Sequence, residues 1–85
     1  MFKLIFSEQF EKSFSKIKDD QIKKQIWKKI LQLETRTPLG KKLKGNPYWS
    51  IHVNKYRIIY GMQGLEVIII DIFERKHEYR EIHKL

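Results

Sequence analysis

A tight turn between two β-prone runs places the strongest constraint on the fold of this chain. The runs Ile51–Val53 and Tyr56–Ile58 flank the dipeptide Asn54–Lys55, a spacing typical of a two-residue β-hairpin. Such a short loop fixes the register, so His52 faces Arg57 across the hairpin. Because side chains alternate along a strand, one face is apolar and the other polar. The apolar face comprises Trp49, Ile51, Val53, Tyr56, Ile58 and Tyr60, and the polar face comprises Ser50, His52 and Arg57.

Segments before the hairpin indicate one strand and two helices. The apolar run Phe2–Phe6 predicts a first strand, and Ser7 is a suitable N-cap for a helix that ends near Lys18. Asp19 or Asp20 offers the N-cap of a second helix. The apolar stripe of that helix is Ile22, Ile26, Ile30 and Leu33.

The remaining segments predict the loop and strands that complete the fold. Both prolines and two of the four glycines lie in Thr35–Pro47, which predicts a basic connecting loop. Two apolar runs, Tyr56–Met62 and Leu65–Phe73, predict strands. The charged segment Glu74–Lys84 predicts a short C-terminal helix or tail. The order β-α-α-β-β-β, with three or four strands after the helices, predicts one α+β domain over residues 1–85 with two helices packed on one face of a small antiparallel sheet.

Charge and composition narrow the classes of function. Eighteen Lys and Arg against ten Asp and Glu give a net charge of +8, which favours nucleic acid or an acidic protein as partner but also fits a solvated basic surface. The absence of cysteine excludes disulfides, thiolate nucleophiles and cysteine-ligated zinc. There is no signal-peptide pattern, and the longest uncharged apolar run, Val67–Ile70, is far shorter than a membrane span. We therefore expect a soluble, cytoplasmic protein with no membrane association.

Cations and aromatic rings on or near the sheet are the candidate functional residues. The histidines lack the spacing of a metal motif, so no metal or other cofactor is expected. Arginine binds phosphate and aromatic rings stack on unpaired bases, a combination that suits a phosphodiester substrate. The candidate catalytic residues are His52, Arg57, Arg75, His77 and Tyr79, and the candidate RNA-binding residues are Lys41, Lys42, Lys44, Lys55 and Lys76. A solvated polar surface remains the alternative for all of them.

Three segments carry a family resemblance over essentially the whole chain. They are KLIFSEQFEKSFSKI near the start, KLKGNPYWSIHVNKYRIIY in the middle and IIIDIFERKHEY near the end. The combination of YRIIY at 56–60 with Arg75, Lys76 and Tyr79 is the most specific part. The chain resembles the RelE/ParE superfamily of bacterial and archaeal toxins.

The resemblance implies a ribosome-dependent messenger-RNA endonuclease that acts without a metal. In RelE-like members the 2′-hydroxyl of the substrate attacks the adjacent phosphate and leaves a cyclic phosphate and a free 5′-hydroxyl. By position, Arg57 is similar to the sheet arginine that stabilises the phosphorane, Arg75 to the terminal arginine beside the leaving oxygen, and Tyr79 to the base-stacking tyrosine. Expected partners are messenger RNA, 16S rRNA in the ribosomal A site, and a cognate antitoxin in a toxin–antitoxin heterotetramer.

Two departures from the RelE pattern leave the mechanism open. RelE carries two basic residues on the strand before the hairpin turn, where this chain has Ser50 and His52, and the frequent Gly-Asp of the turn is replaced by Asn54–Lys55. His52 or its rival His77 would serve as the general base. The departures are also consistent with a weakened nuclease that mainly binds its antitoxin, or with a ParE-like inhibitor of DNA gyrase. A basic interaction module without toxin activity is the third hypothesis.

Overall fold

The computed structural model of the protein describes residues 1–74 and has the predicted α+β architecture. Its elements are β1 Lys3–Phe6, α1 Glu8–Ser15, α2 Asp20–Leu31 with a 3-10 turn at Gln32–Glu34, β2 Lys41–Lys42, β3 Trp49–Val53, β4 Tyr56–Gln63 and β5 Glu66–Glu74. The predicted C-terminal helix or tail lies outside the described residues.

The five strands form one open sheet in the order β1-β5-β4-β3-β2. Strands β2 to β5 are antiparallel, as the hairpin pattern predicts. Strand β1 pairs with β5 in parallel. Since β1 and β5 are far apart in the chain, no hairpin turn sets their relative direction, and the sheet is mostly rather than wholly antiparallel.

Both helices are capped at the N-terminus by a side-chain oxygen. The Ser7 side chain accepts a hydrogen bond from the backbone N–H of Phe10 at 3.0 Å, which confirms the predicted N-cap. Asp19, rather than Asp20, caps α2 by accepting from the N–H groups of Gln21 and Ile22. Each cap satisfies backbone donors that the first turn of a helix leaves without partners. Helix α1 ends at Ser15, short of the predicted end near Lys18.

Both helices pack on one face of the sheet, and the core lies between the helices and that face. Helix α1 is also tied to β5 by polar contacts: the Ser7 hydroxyl donates to the Ile70 carbonyl at 2.5 Å and the Ser13 hydroxyl to the Asp71 carboxylate at 2.8 Å. The buried core residues are Phe10, Ile17, Ile26, Ile30, Leu33, Ile51, Val53, Ile58, Tyr60, Val67, Ile69 and Ile72. Each large apolar side chain contributes roughly 1.5–3 kcal/mol when fully buried, so this core holds the helices against the sheet.

The hairpin has the predicted register. Ile51 faces Ile58 and His52 faces Arg57. Asn54 adopts a φ of 56° in the turn, a left-handed conformation that asparagine tolerates better than most residues. Farther along β4, a bulge shifts its pairing with β5 after Ile59. The helices therefore cover the apolar face of the hairpin, and His52 and Arg57 lie on the opposite face, which we call the polar face.

Candidate functional site

A cleft of about 360 Å³ lies on the polar face at the hairpin end of the sheet. It is lined by Gly40, Lys41, Ser50, His52 and Arg57. Strands β3 and β4 supply the last three of these residues, β2 supplies Lys41, and the loop that enters β2 supplies Gly40. The cleft therefore brings three predicted site residues together on one surface: two cations and an imidazole.

Strand β2 places Lys41 in this cleft. Lys41 pairs with Ser50 and Lys42 pairs with Trp49 in the β2–β3 ladder. Directly paired residues share a face of the sheet, so Lys41 lies on the polar face with Ser50, whereas Lys42 lies on the face of Trp49. The two adjacent lysines are thus separated by the sheet.

Gly40 allows the chain to come very close to the backbone of β3. It has a φ of +83°, and a Cβ atom built there would lie 2.1 Å from the Ser50 carbonyl oxygen. Both observations require glycine, because left-handed backbone disfavours other residues and no side chain fits at that distance. The wall of the cleft beside Lys41 is therefore pure backbone.

Tyr60 anchors the loop that precedes this glycine. Its hydroxyl donates to the Leu39 carbonyl at 2.6 Å and accepts from the Leu39 N–H at 2.8 Å. Tyr60 is fully buried. Burial raises the pKa of its hydroxyl above the ordinary value of 10.0, and the hydrogen bond with Leu39 opposes this shift. The neutral hydroxyl thus holds the backbone immediately before Gly40 against the central strand.

His52 and Arg57 are in direct contact across the hairpin, through His52 Nε2 and Arg57 Nη2. A guanidinium has only donors, so in this contact Nε2 accepts the hydrogen bond. A hydrogen bond of this kind requires the neutral imidazole tautomer with its proton on Nδ1. A neutral imidazole beside a permanent cation is the form that can accept a proton from a substrate.

The other predicted site residues lie elsewhere. Lys44 is exposed in the loop after β2. Lys55 lies in the hairpin turn, with its Nζ 5.7 Å from the centre of the Tyr56 ring, which is on the helix-covered face. Neither contributes to the cleft lining. Predicted residues outside the described part of the chain are Arg75, Lys76, His77 and Tyr79.

The sequence did not predict the role of Gly40 or the contact between Leu39 and Tyr60. The only indication in the sequence was the glycine in TPLG at 37–40, which indicates a special backbone conformation but not the strand that it approaches.

Within residues 1–74, no group of three or more His, Cys, Asp or Glu side chains is placed to hold a metal ion. None of the described helices is long and apolar enough to cross a membrane.

A family model for the ParE toxin of type II toxin-antitoxin systems, parDE, matches residues 4–79. The chain belongs to the RelE/ParE toxin superfamily. This confirms the resemblance seen in the sequence and makes the protein a toxin of a type II toxin-antitoxin system. A comparison with curated proteins gives no match.

Solved structures of toxins have the same fold. The RelB–RelE antitoxin–toxin complex from Methanococcus jannaschii contains a chain 26% identical to this toxin, with a TM-score of 0.76 over 91% of this chain and 96% of that chain. The isolated E. coli RelE toxin is 24% identical, with a TM-score of 0.77 over 99% and 97% of the two chains. A chromosomal ParDE system from P. aeruginosa gives 12% identity and a TM-score of 0.76 over 87% and 96%. The similarity to the last two structures concerns the fold alone, because their sequence identity is low.

Proposed function

We propose that this toxin is a ribosome-dependent endoribonuclease that cleaves messenger RNA in the A site. The observation that carries the proposal is the cleft, which joins Lys41, His52 and Arg57 on the polar face. A bound phosphodiester would meet two permanent positive charges there, and positive charge aimed at a developing oxyanion is often the largest catalytic contribution. Inhibition of a protein target would not require a histidine and two cations to converge in this way.

The proposed reaction is attack of the 2′-hydroxyl on the adjacent phosphorus. His52 takes the 2′-hydroxyl proton, the 2′-oxygen bonds to phosphorus, and the bond to the 5′-oxygen breaks. The leaving 5′-oxygen takes a proton from water and His52 returns its proton to solvent, so the products are a 2′,3′-cyclic phosphate and a free 5′-hydroxyl. Arg57 stabilises the extra charge on the phosphorane, and Lys41 binds a non-bridging oxygen.

The contact between His52 and Arg57 links binding to proton transfer. Before substrate binds, Nε2 of His52 accepts from the Arg57 guanidinium. A phosphate is a stronger acceptor than a neutral imidazole because hydrogen bonds to charged groups are stronger. Phosphate binding therefore draws the guanidinium away and exposes the Nε2 lone pair as the base.

The C-terminal residues complete the proposed site by family resemblance. Arg75 would lie beside the leaving oxygen, Tyr79 would stack on a base, and His77 is the rival general base. Lys76, with the loop lysine Lys44, would contact the RNA backbone or 16S rRNA. We infer that the toxin domain extends over residues 1–85, and we predict that Arg75→Ala relieves growth arrest while the protein remains folded.

Mapping of transcript ends after brief induction of the toxin tests this proposal. New ends within translated reading frames are expected, and they should disappear when translation initiation is blocked. Arrested growth with unchanged transcripts would remove the nuclease function.

Gyrase inhibition is the second candidate, favoured by the match to the ParE family model. A toxin of that type should change the supercoiling of plasmid DNA in a gyrase reaction, and an endoribonuclease should not. A catalytically weakened toxin would change neither transcripts nor supercoiling but would still bind its antitoxin.

We propose a cognate antitoxin as the protein partner, in the cytoplasm. The structural relative from M. jannaschii is an antitoxin–toxin complex, and the net charge of +8 favours an acidic partner. Co-purification of the two proteins on a single tag, followed by measurement of the mass of the complex, tests both the partner and the heterotetramer.

A further inference from the structure

A second depression lies on the polar face, at the end of the sheet remote from the hairpin. Its volume is about 380 Å³, and Tyr48, Gly61, Ile68 and Ile70 form much of its lining. Pro47, Met62 and Gln63 complete the lining. None of these described lining residues carries a charge, in contrast to the cleft. We call this depression the Tyr48 groove.

The Tyr48 ring lies against the sheet beside Gly61. A Cβ atom at Gly61 would lie 3.5 Å from Cδ1 of Tyr48 and 3.7 Å from Cδ1 of Ile70. Gly61 pairs with Ile68, so the ring packs over the backbone of two central strands. A Cβ atom at these distances would make ordinary van der Waals contact, so the ring lies close against Gly61.

The backbone of Tyr48 is held on both sides. Its N–H donates to Oδ1 of Asn46 at 3.0 Å, and its carbonyl accepts from the N–H of Leu43 at 2.9 Å. The ring is half-buried. A ring on a fixed backbone, with part of its surface open to solvent, loses little conformational freedom when a planar ligand stacks on it.

The groove and the cleft lie on the same face of the sheet. Gly61 follows Arg57 by four residues on β4, so both have the same orientation relative to the sheet and lie roughly 13 Å apart along the strand. Lys41 borders the cleft, and the exposed Lys44 follows it in the segment that leads to Tyr48. Both cations therefore belong to the chain segment that connects the cleft to Tyr48, which complements an RNA backbone.

We propose that the Tyr48 groove binds an unpaired base of the RNA strand whose scissile phosphate occupies the cleft. The inference rests on the proposed nuclease function and adds a second contact to it. Stacking on an aromatic ring and burial on an apolar floor are the usual means of holding an unpaired base. The lack of charge in the groove suits a base and not a phosphate.

Equilibrium binding of a short single-stranded 2′-O-methyl RNA tests the groove, because this RNA cannot undergo 2′-hydroxyl attack. Tyr48→Ala and Tyr48→Leu should raise the Kd about 5- to 150-fold, the range expected for loss of one base–aromatic stack. Tyr48→Phe, which keeps the ring, should bind like the wild type. The leucine variant keeps apolar volume at the groove, so its loss of affinity cannot be attributed to an emptied site.

The salt dependence separates stacking from phosphate binding. The Tyr48 variants should keep the wild-type slope of log Kd against log salt, whereas Arg57→Ala should make it shallower by about 0.7 for one phosphate contact on a single strand. Trp27→Ala is the matched control, since Trp27 is an aromatic residue of α2, 40% exposed, on the helix side of the sheet. It should not alter RNA affinity.

Each possible result decides whether the groove is a base-binding site. Unchanged RNA affinity in Tyr48→Ala and Tyr48→Leu overturns the base site and leaves the nuclease proposal standing. Weaker capture of the antitoxin with unchanged RNA affinity overturns it as well, and assigns the groove to the protein partner. Failure of the wild type to bind this RNA at low salt also overturns the base site, whereas the nuclease proposal is tested separately by cleavage on ribosomes.

Discussion

Replacement of Gly40 by alanine should damage the cleft through one atom. The added Cβ would lie 2.1 Å from the Ser50 carbonyl oxygen and 2.9 Å from its carbonyl carbon. Both are backbone atoms of β3, which cannot move aside as a side-chain tip can. The start of β2, which carries Lys41, must therefore shift away from β3.

Gly45→Ala provides a matched control for the backbone conformation. Gly45 has a φ of +80°, close to that of Gly40, but an added Cβ would have nothing within 4 Å. The left-handed conformation alone should cost about 1 kcal/mol net, because strain is partly offset by the lower entropy of the unfolded chain. At Gly40 the overlap should add about 1–3 kcal/mol, typical of overpacking.

Thermal unfolding measured by circular dichroism separates the two contributions. For a domain of this size each 1 kcal/mol lowers the Tm by roughly 4–8 °C, so Gly40→Ala should melt well below Gly45→Ala. RNA cleavage at a temperature where both are folded should fall only in Gly40→Ala, because only that change displaces Lys41. Equal Tm values for the two variants would refute the close approach of Gly40 to β3.

Three further substitutions test the hydrogen bonds of Tyr60 and the N-cap of α2. Tyr60→Phe removes both hydrogen bonds to Leu39 and should lower the free energy of unfolding by about 1–3 kcal/mol in denaturant titrations. Burial raises the folded-state pKa of Tyr60. The contribution of its neutral hydroxyl to the free energy of unfolding should therefore be fully present below about pH 10 and be lost as the pH rises through the higher folded-state pKa. The free energy of unfolding of Tyr60→Phe should fall less over the same pH range. Asp19→Ala should destabilise by about 0.5–2 kcal/mol through loss of the α2 cap, whereas the neighbouring Asp20→Ala should cost much less.

Local chemistry made the hairpin predictable. A two-residue turn leaves one register, and alternation then assigns each side chain a face, so the pairing of His52 with Arg57 followed from the sequence alone. Helix starts were predictable for the same reason, since a cap residue acts within three positions of itself. The end of α1 was less well defined because the apolar period continues through Ile17, which is buried although the helix ends at Ser15.

Contacts between distant segments were not predictable. The loop lysines Lys41, Lys42 and Lys44 are equivalent by composition, and only the pairing of β2 with β3 places the first of them in the cleft. A two-residue strand has no sequence signature of its own. Likewise, the bond between Leu39 and Tyr60 spans 21 positions, and no local pattern specifies it.

The end groups of cleaved messenger RNA test the central claim most directly. Purified toxin, added to ribosomes that carry a defined messenger, should produce fragments with 2′,3′-cyclic phosphate and 5′-hydroxyl ends. Arg57→Ala should reduce the rate by about 10²–10³-fold, as expected when a group that stabilises an oxyanion is lost. Fragments with 5′-phosphate ends, or a folded Arg57→Ala protein that cleaves as fast as the wild type, would contradict phosphate chemistry in this cleft.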